Sequence, residues 1–169
     1  MIVVMGHNLD PTNGWGNHAW NYLSQLKLKN IDFVAFVESK NGLSAAQEQF
    51  GYDKVFLISI NRVFDLGVKF GYIPMRDLRF LEFKNITAVQ VLCFSKISLI
   101  ASKLANMADV PLFLYGHGTY AVRPWIRREN IAAYNRLLDC SAGIFFASEY
   151  TANVVTSSSD VKNLEHKIK

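Results

Sequence analysis

Cysteine is scarce: Cys93 and Cys140 are the only two in 169 residues, too few and too far apart for a disulfide framework. Each lies among apolar neighbours, the setting of a buried, reduced thiol. No apolar run approaches the roughly 18 residues of a membrane-spanning helix, and Met1–Met5 lacks the basic flank of a secretory signal. A cytoplasmic location is therefore expected, where the sequon Asn85-Ile86-Thr87 has no use. Repeats and low-complexity tracts are also missing. Charge of either sign is sparse, 18 basic against 14 acidic side chains for a net +4. That balance leans toward anionic ligands such as phosphates or lipid headgroups and away from an extended nucleic-acid surface.

The chemical motifs that are absent exclude more. Without H-E-x-x-H or paired C-x-x-C spacing no metal site is expected, and without G-x-S-x-G or a Walker loop neither a serine nucleophile nor P-loop hydrolysis is. Half of the residues are apolar, and a chain of this length can bury roughly 70% of its unfolded surface around one core.

The apolar residues fall into short blocks. Ile2–Met5, 32–37, 54–59, 88–94, 111–115 and 143–147 read as buried, β-branched and aromatic strands. Between them, Ala19, Tyr22, Leu23 and Leu26 mark an amphipathic helix over about 16–27, and Ile97, Ile100, Ala101, Leu104 and Met107 mark another that Ser95 could cap. A basic loop then precedes a helix over about 129–138. Ser148 caps a last helix with Glu149 in its first turn. Residues 61–84 mix Arg and Lys with aromatics and read as two short helical pieces. Alternating strands and helices predict an α/β domain, an open doubly wound parallel sheet with helices on both faces, over 1–157. Residues 158–169 read as a linker or tail.

Ligands of such sheets bind beyond the carboxyl ends of the strands. After the first strand, Gly14-Trp15-Gly16-Asn17 opens a helix, where glycines let a phosphate approach backbone N–H groups at the positive helix end. Gly14 to Ala19 also fits the dinucleotide pattern G-x-G-x-x-G/A, with Glu38 at a suitable distance, but Gly14 comes eight residues after Gly6 instead of in the turn directly after the strand. After the fifth strand, His117 stands between two glycines, open to a ligand as donor or acceptor. His7 and His18 are weaker candidates, and His166 weaker still.

Gly14-Trp15-Gly16, Leu114-Tyr115-Gly116-His117-Gly118-Thr119 and Ala147-Ser148-Glu149-Tyr150-Thr151, in this order, resemble the amino-terminal domain of GT-B glycosyltransferases of the retaining family 4. The resemblance extends loosely over nearly the whole chain. It implies a Rossmann-like half of a GT-B fold, with Gly14, Gly16 and Asn17 near the donor diphosphate and His117 beside the reacting sugar. Thr119 and His18 would line the acceptor site. It further implies a nucleotide-sugar donor, no cofactor and no metal, with a glycan or lipid-linked acceptor. The nucleotide-sugar site would lie in a second similar domain, so this chain alone is expected to be inactive. Trp15 departs from the adjacent glycines common in the family.

Two alternatives stay open: an NAD(P)-dependent oxidoreductase or epimerase using the glycine pattern with Glu38, and a non-catalytic acceptor-binding subunit of a two-chain transferase. The basic and aromatic stretch 61–84, with Arg123, Arg127 and Arg128, is either a solvated face or a peripheral contact with anionic membrane.

Overall fold

A computed structural model describes residues 1–58, 78, 81–128 and 130–169, excepting the side chains of 119 and 120. In chain order the elements are β1 (Ile2–Gly6), α1 (Gly14–Leu28), β2 (Phe33–Val37), α2 (Leu43–Phe50), β3 (Val55–Leu57), a 3-10 turn (Phe83–Asn85), β4 (Ala88–Val91), α3 (Ser98–Ala108), β5 (Leu112–Gly116), α4 (Gly118–Ile126), α5 (Ile131–Asp139), β6 (Gly143–Phe146), α6 (Glu149–Ser158) and a second 3-10 turn (Leu164–Lys167). The six strands form one sheet in the order β3-β2-β1-β4-β5-β6, with every neighbouring pair parallel. This is a Rossmann-like open α/β fold.

The strands are apolar at successive positions because both sheet faces are covered. Val3, Met5, Val34 and Phe36 point into the core shared with α3 to α6, whereas Val4, Ala35 and Val37 pack beneath α1 and α2. The alternation follows from the two-residue period of a strand. On α1, Ala19, Leu23 and Leu26 form the buried stripe.

Several local expectations change. The connection between β2 and β3 contains α2. The helix after β4 begins at Ser98 rather than behind a Ser95 cap; Ser95 instead offers its carbonyl to Ser98 N and Oγ. The supposed basic loop is α4, which carries Arg123 and Pro124 in a first-to-last-turn amphipathic helix. The two helical pieces expected over 61–84 fall largely outside the described residues; within it, Leu78 is buried and Phe83 begins a 3-10 turn. Ser148 does cap α6, its Oγ accepting from Thr151 N at 3.2 Å.

The tail 158–169 folds back on the sheet. Leu164 is 1% exposed within the core, Ile168 bridges Ile144, and Lys169 N donates to Ile144 O at 2.9 Å. These contacts cover the β6 edge. Leu164→Ala should lower unfolding stability by about 2–5 kcal/mol, the range for emptying a buried leucine site. Urea denaturation checks this, and a loss within 0.5 kcal/mol, the range of neutral surface changes, would mean an undocked tail.

Candidate functional site

The strand order reverses between β1 and β4, so a crevice opens over their carboxyl ends. The loop from β1 to α1 crosses this end of the sheet and is pinned along its length. Asn8 is buried, and its Oδ1 accepts from Asp10 N at 3.0 Å and Asn13 Nδ2 at 3.2 Å. Asp10 Oδ1 accepts from the hydroxyl and N–H of Thr12, and these bonds hold its carboxyl below the usual range. Leu9 is buried and donates its N–H to Asn41 O. It lies against Gly42, where φ is +75° and a Cβ would come within 2.2 Å of Leu9 O.

This anchoring separates the two glycines of the first loop. A Cβ on Gly16 would lie 2.0 Å from Asp10 O, and the Gly16 N–H already donates to Asn13 Oδ1 at 2.9 Å as the α1 cap. Gly16 is thus a packing position. Gly14 is exposed at the first position of α1, where the N–H has no intrahelical acceptor, and a Cβ there would only touch His117 Cε1 at 3.8 Å. Asn17 is exposed, its Oδ1 accepting from Asn21 Nδ2.

His117 ends the β5 connection at the N-cap position of α4. Its ring lies parallel to that of His18 on α1, with centroids 5.6 Å apart, and His18 stacks on Tyr115 at 4.3 Å. His18 Nε2 and His117 Nδ1 are buried and have no hydrogen-bond partner. Burial pushes the His18 pKa down, and His117 adds to the effect by charge repulsion. Thr119 belongs to the first turn of α4, and its side chain lies outside the described residues.

A third histidine, His7, holds the other side of the crevice. His7 Nδ1 meets Glu38 Oε1 at 2.5 Å, while Glu38 Oε2 accepts from Ile97 N at 3.0 Å ahead of α3. The Glu38 side chain is 10% exposed. The His7 ring sits edge-on to Trp15 at 5.3 Å, and the Trp15 Nε1 stands 3.4 Å from where a Gly118 Cβ would be. Trp15 therefore joins the Glu38–His7 pair to the His117 loop. Neither this pairing nor the bridging role of Trp15 is readable in the sequence, where Glu38 fits only the dinucleotide pattern; the one visible signal is a tryptophan between two loop glycines.

Beneath this row, burial pushes the Cys93 thiol up to about 12, so it is no nucleophile at neutral pH. Cys140 is exposed at the end of α5, contrary to the expectation of a buried thiol. Among the described residues no group of three or more His, Cys, Asp or Glu side chains could hold a metal ion, and no helix is long and apolar enough to cross a membrane. A cleft of about 630 Å³ opens between α4 and α6, lined by Arg123, Arg127, Ser148 and Thr151.

Comparison with known protein families and with characterised proteins yields no match to this sequence.

The two glycines should respond differently to alanine. Gly14→Ala should change stability by less than about 0.5 kcal/mol, while Gly16→Ala should cost about 1–3 kcal/mol or more through forced displacement of the Asp10 backbone; chemical denaturation of both variants decides. The lowered His18 pKa also sets a pH dependence. Below the ordinary value of 6.5 the unfolded chain takes up a proton that the folded chain resists, so this contribution is present above that pH and lost as pH falls. The melting temperature should therefore drop less steeply on acidification for His18→Phe, which retains the ring stack, than for the parent protein; equal slopes would contradict the burial argument.

Proposed function

We propose that this chain is the amino-terminal, acceptor-side half of a retaining sugar transferase of the GT-B, family 4-like type, which takes a nucleotide-sugar donor and a glycan or lipid-linked acceptor. The observation that carries the reading is the pairing of an exposed Gly14, at the positive end of α1, with His117, whose Nδ1 is buried and unpartnered. A diphosphate at Gly14 would meet an unsatisfied N–H and the helix dipole. His117, whose Cε1 edge adjoins Gly14, would then stand beside the sugar and supply a hydrogen bond to it from the imidazole ring.

Asn17 lies exposed one turn along α1 and can extend the phosphate contact, whereas the Gly16 N–H is committed to the cap. As the bond between the sugar's anomeric carbon and the phosphate oxygen breaks, an acceptor hydroxyl oxygen would bond to that carbon and pass its proton to the departing diphosphate, which gains negative charge in the process. Fixed N–H groups here and cations on a second domain stabilise that charge without reorganising. The acceptor would approach from the side of His18 and Thr119.

The dinucleotide alternative draws less support. The Gly16 position is filled by the Asp10 backbone, and Glu38, which would have to receive a ribose hydroxyl, already holds His7 and Ile97 N.

Amide NMR of the chain during titration with inorganic pyrophosphate, UDP-, GDP- and ADP-hexoses and NADH tests the reading. Pyrophosphate and one or more nucleotide sugars should shift the Gly14 amide and the His117 ring with a Kd near 1 mM, equivalent to about 4 kcal/mol. NADH should bind no more tightly than pyrophosphate. Micromolar NADH binding with shifts at Glu38 to Asn41 would overturn the transferase reading in favour of a dehydrogenase.

A further inference from the structure

Glu38 also lines a cavity of about 180 Å³ whose described lining includes neither Gly14, Trp15 nor His117. Phe94 and Tyr134, both buried, give it an aromatic wall with rings 6.4 Å apart and nearly perpendicular. Glu38, Lys96, Arg123 and Asn130 bring polar groups to the same space. Its volume would hold about six waters at ~30 Å³ each, and it lies below the ~300 Å³ at which sites for drug-sized ligands begin.

The lining chemistry discriminates among small ligands. An apolar guest would desolvate a carboxylate, an ammonium, a guanidinium and an amide without replacing their hydrogen bonds. A compact anion would meet the cations but also the Glu38 carboxylate. A ring bearing several hydroxyls suits the whole set, because each hydroxyl both donates and accepts. Its hydroxyls can give to Glu38 and the Asn130 carbonyl and receive from Lys96, Arg123 and the Asn130 amide, while its C–H face lies on the aromatic wall. Glu38 retains this capacity: each carboxylate oxygen has a second acceptor site beyond those used by His7 and Ile97 N.

We infer that this cavity binds a single polyhydroxylated ring, a hexopyranose or cyclitol unit, through Glu38, Arg123 and Asn130 over Phe94 and Tyr134. The assignment deepens the acceptor-side reading and rests on it for its biological meaning: the ring would be the terminal unit of the acceptor. Glu38 touches both this cavity and His7, and His7 touches Trp15 next to Gly14, so the bound ring stands one hydrogen-bonded pair and one indole from the donor side.

Titration of the 169-residue chain with methyl glucoside, methyl mannoside, myo-inositol and inorganic phosphate, followed by amide and side-chain NMR, tests the inference. At least one polyol should shift Asn130 and the Tyr134 ring at millimolar concentration. Arg123→Gln and Asn130→Gly should each weaken it roughly tenfold, the effect of losing one hydrogen bond to a buried polar ligand; glycine preserves the positive φ of 54° at position 130. A folded variant shows the parent's amide spectrum elsewhere. Polyols that leave Asn130 and Tyr134 unmoved, binding indifferent to both substitutions, or phosphate alone occupying the cavity would each overturn the inference. Polyol binding here together with micromolar NADH binding at the crevice would instead leave the cavity assignment standing and remove the transferase reading.

Discussion

The carboxylate of Glu38 holds the carboxyl end of this sheet together. It lies just beyond β2, takes His7 from the end of β1 on one oxygen and the Ile97 N–H ahead of α3 on the other. The His7 carbonyl completes the junction by accepting from Glu38 N and Ser39 N. Three segments that diverge at the point of strand-order reversal are thus tied by one largely buried side chain. A buried carboxylate is costly unless its hydrogen bonds are made, so the His7 ring and the start of α3 are fixed in place by the same requirement. Trp15 then rests edge-on against the His7 ring, and its Nε1 lies beside Gly118 in the His117 loop.

The opposite arrangement prevails at His18 and His117. Two parallel imidazoles and a phenol ring are stacked, yet one nitrogen of each histidine lacks a partner. Stacking keeps the rings in register, but it does not replace a hydrogen bond to a buried nitrogen. Folded chains rarely leave such groups unpaired. One side of the crevice is therefore internally satisfied and the other is not, and the unsatisfied side is the one that adjoins the exposed helix terminus at Gly14.

The layered fold was legible because its signal is periodic and repeated. Six apolar blocks separated by polar segments specify parallel strands covered on both faces, and all six form the sheet. What escaped were features set by tertiary partners. Ser95 has the composition of a helix cap, but Glu38, far away in sequence, takes the nearby N–H of Ile97 and the helix starts later. The Arg-rich segment after His117 looked like a loop because Pro124 and the charges obscure its helical period, yet Ala121, Val122 and Trp125 bury one face of α4. The tail looked like a linker because serines precede it; Leu164 and Val161 on the core, Lys167 Nζ on the carbonyls of Leu138 and Asp139, and backbone contacts to Ile144 dock it. In the site, His117 was visible from its flanking glycines, although these act differently. Gly116 avoids Phe146, whose Cδ1 would lie 2.6 Å from a Cβ, whereas Gly118 takes a positive φ to turn the chain into α4.

Gly16 shows most directly how the loop reshapes the first-strand motif. A glycine pattern at a helix start is commonly read as a set of N–H groups waiting for phosphate. Here the third-position N–H belongs to Asn13 Oδ1 and the space above it belongs to Asp10. An anion entering from the crevice would have to break a cap and move a pinned backbone to use that group, whereas Gly14 requires neither. The glycine left open is thus displaced to the very tip of α1, where a Cβ would meet only His117 Cε1. Trp15 makes this displacement possible: its indole spans from His7 to Gly118, so the helix tip is braced against both loops without any side chain at Gly14. A tryptophan between two glycines is in this geometry the strut beside the exposed glycine, its indole set between His7 and Gly118.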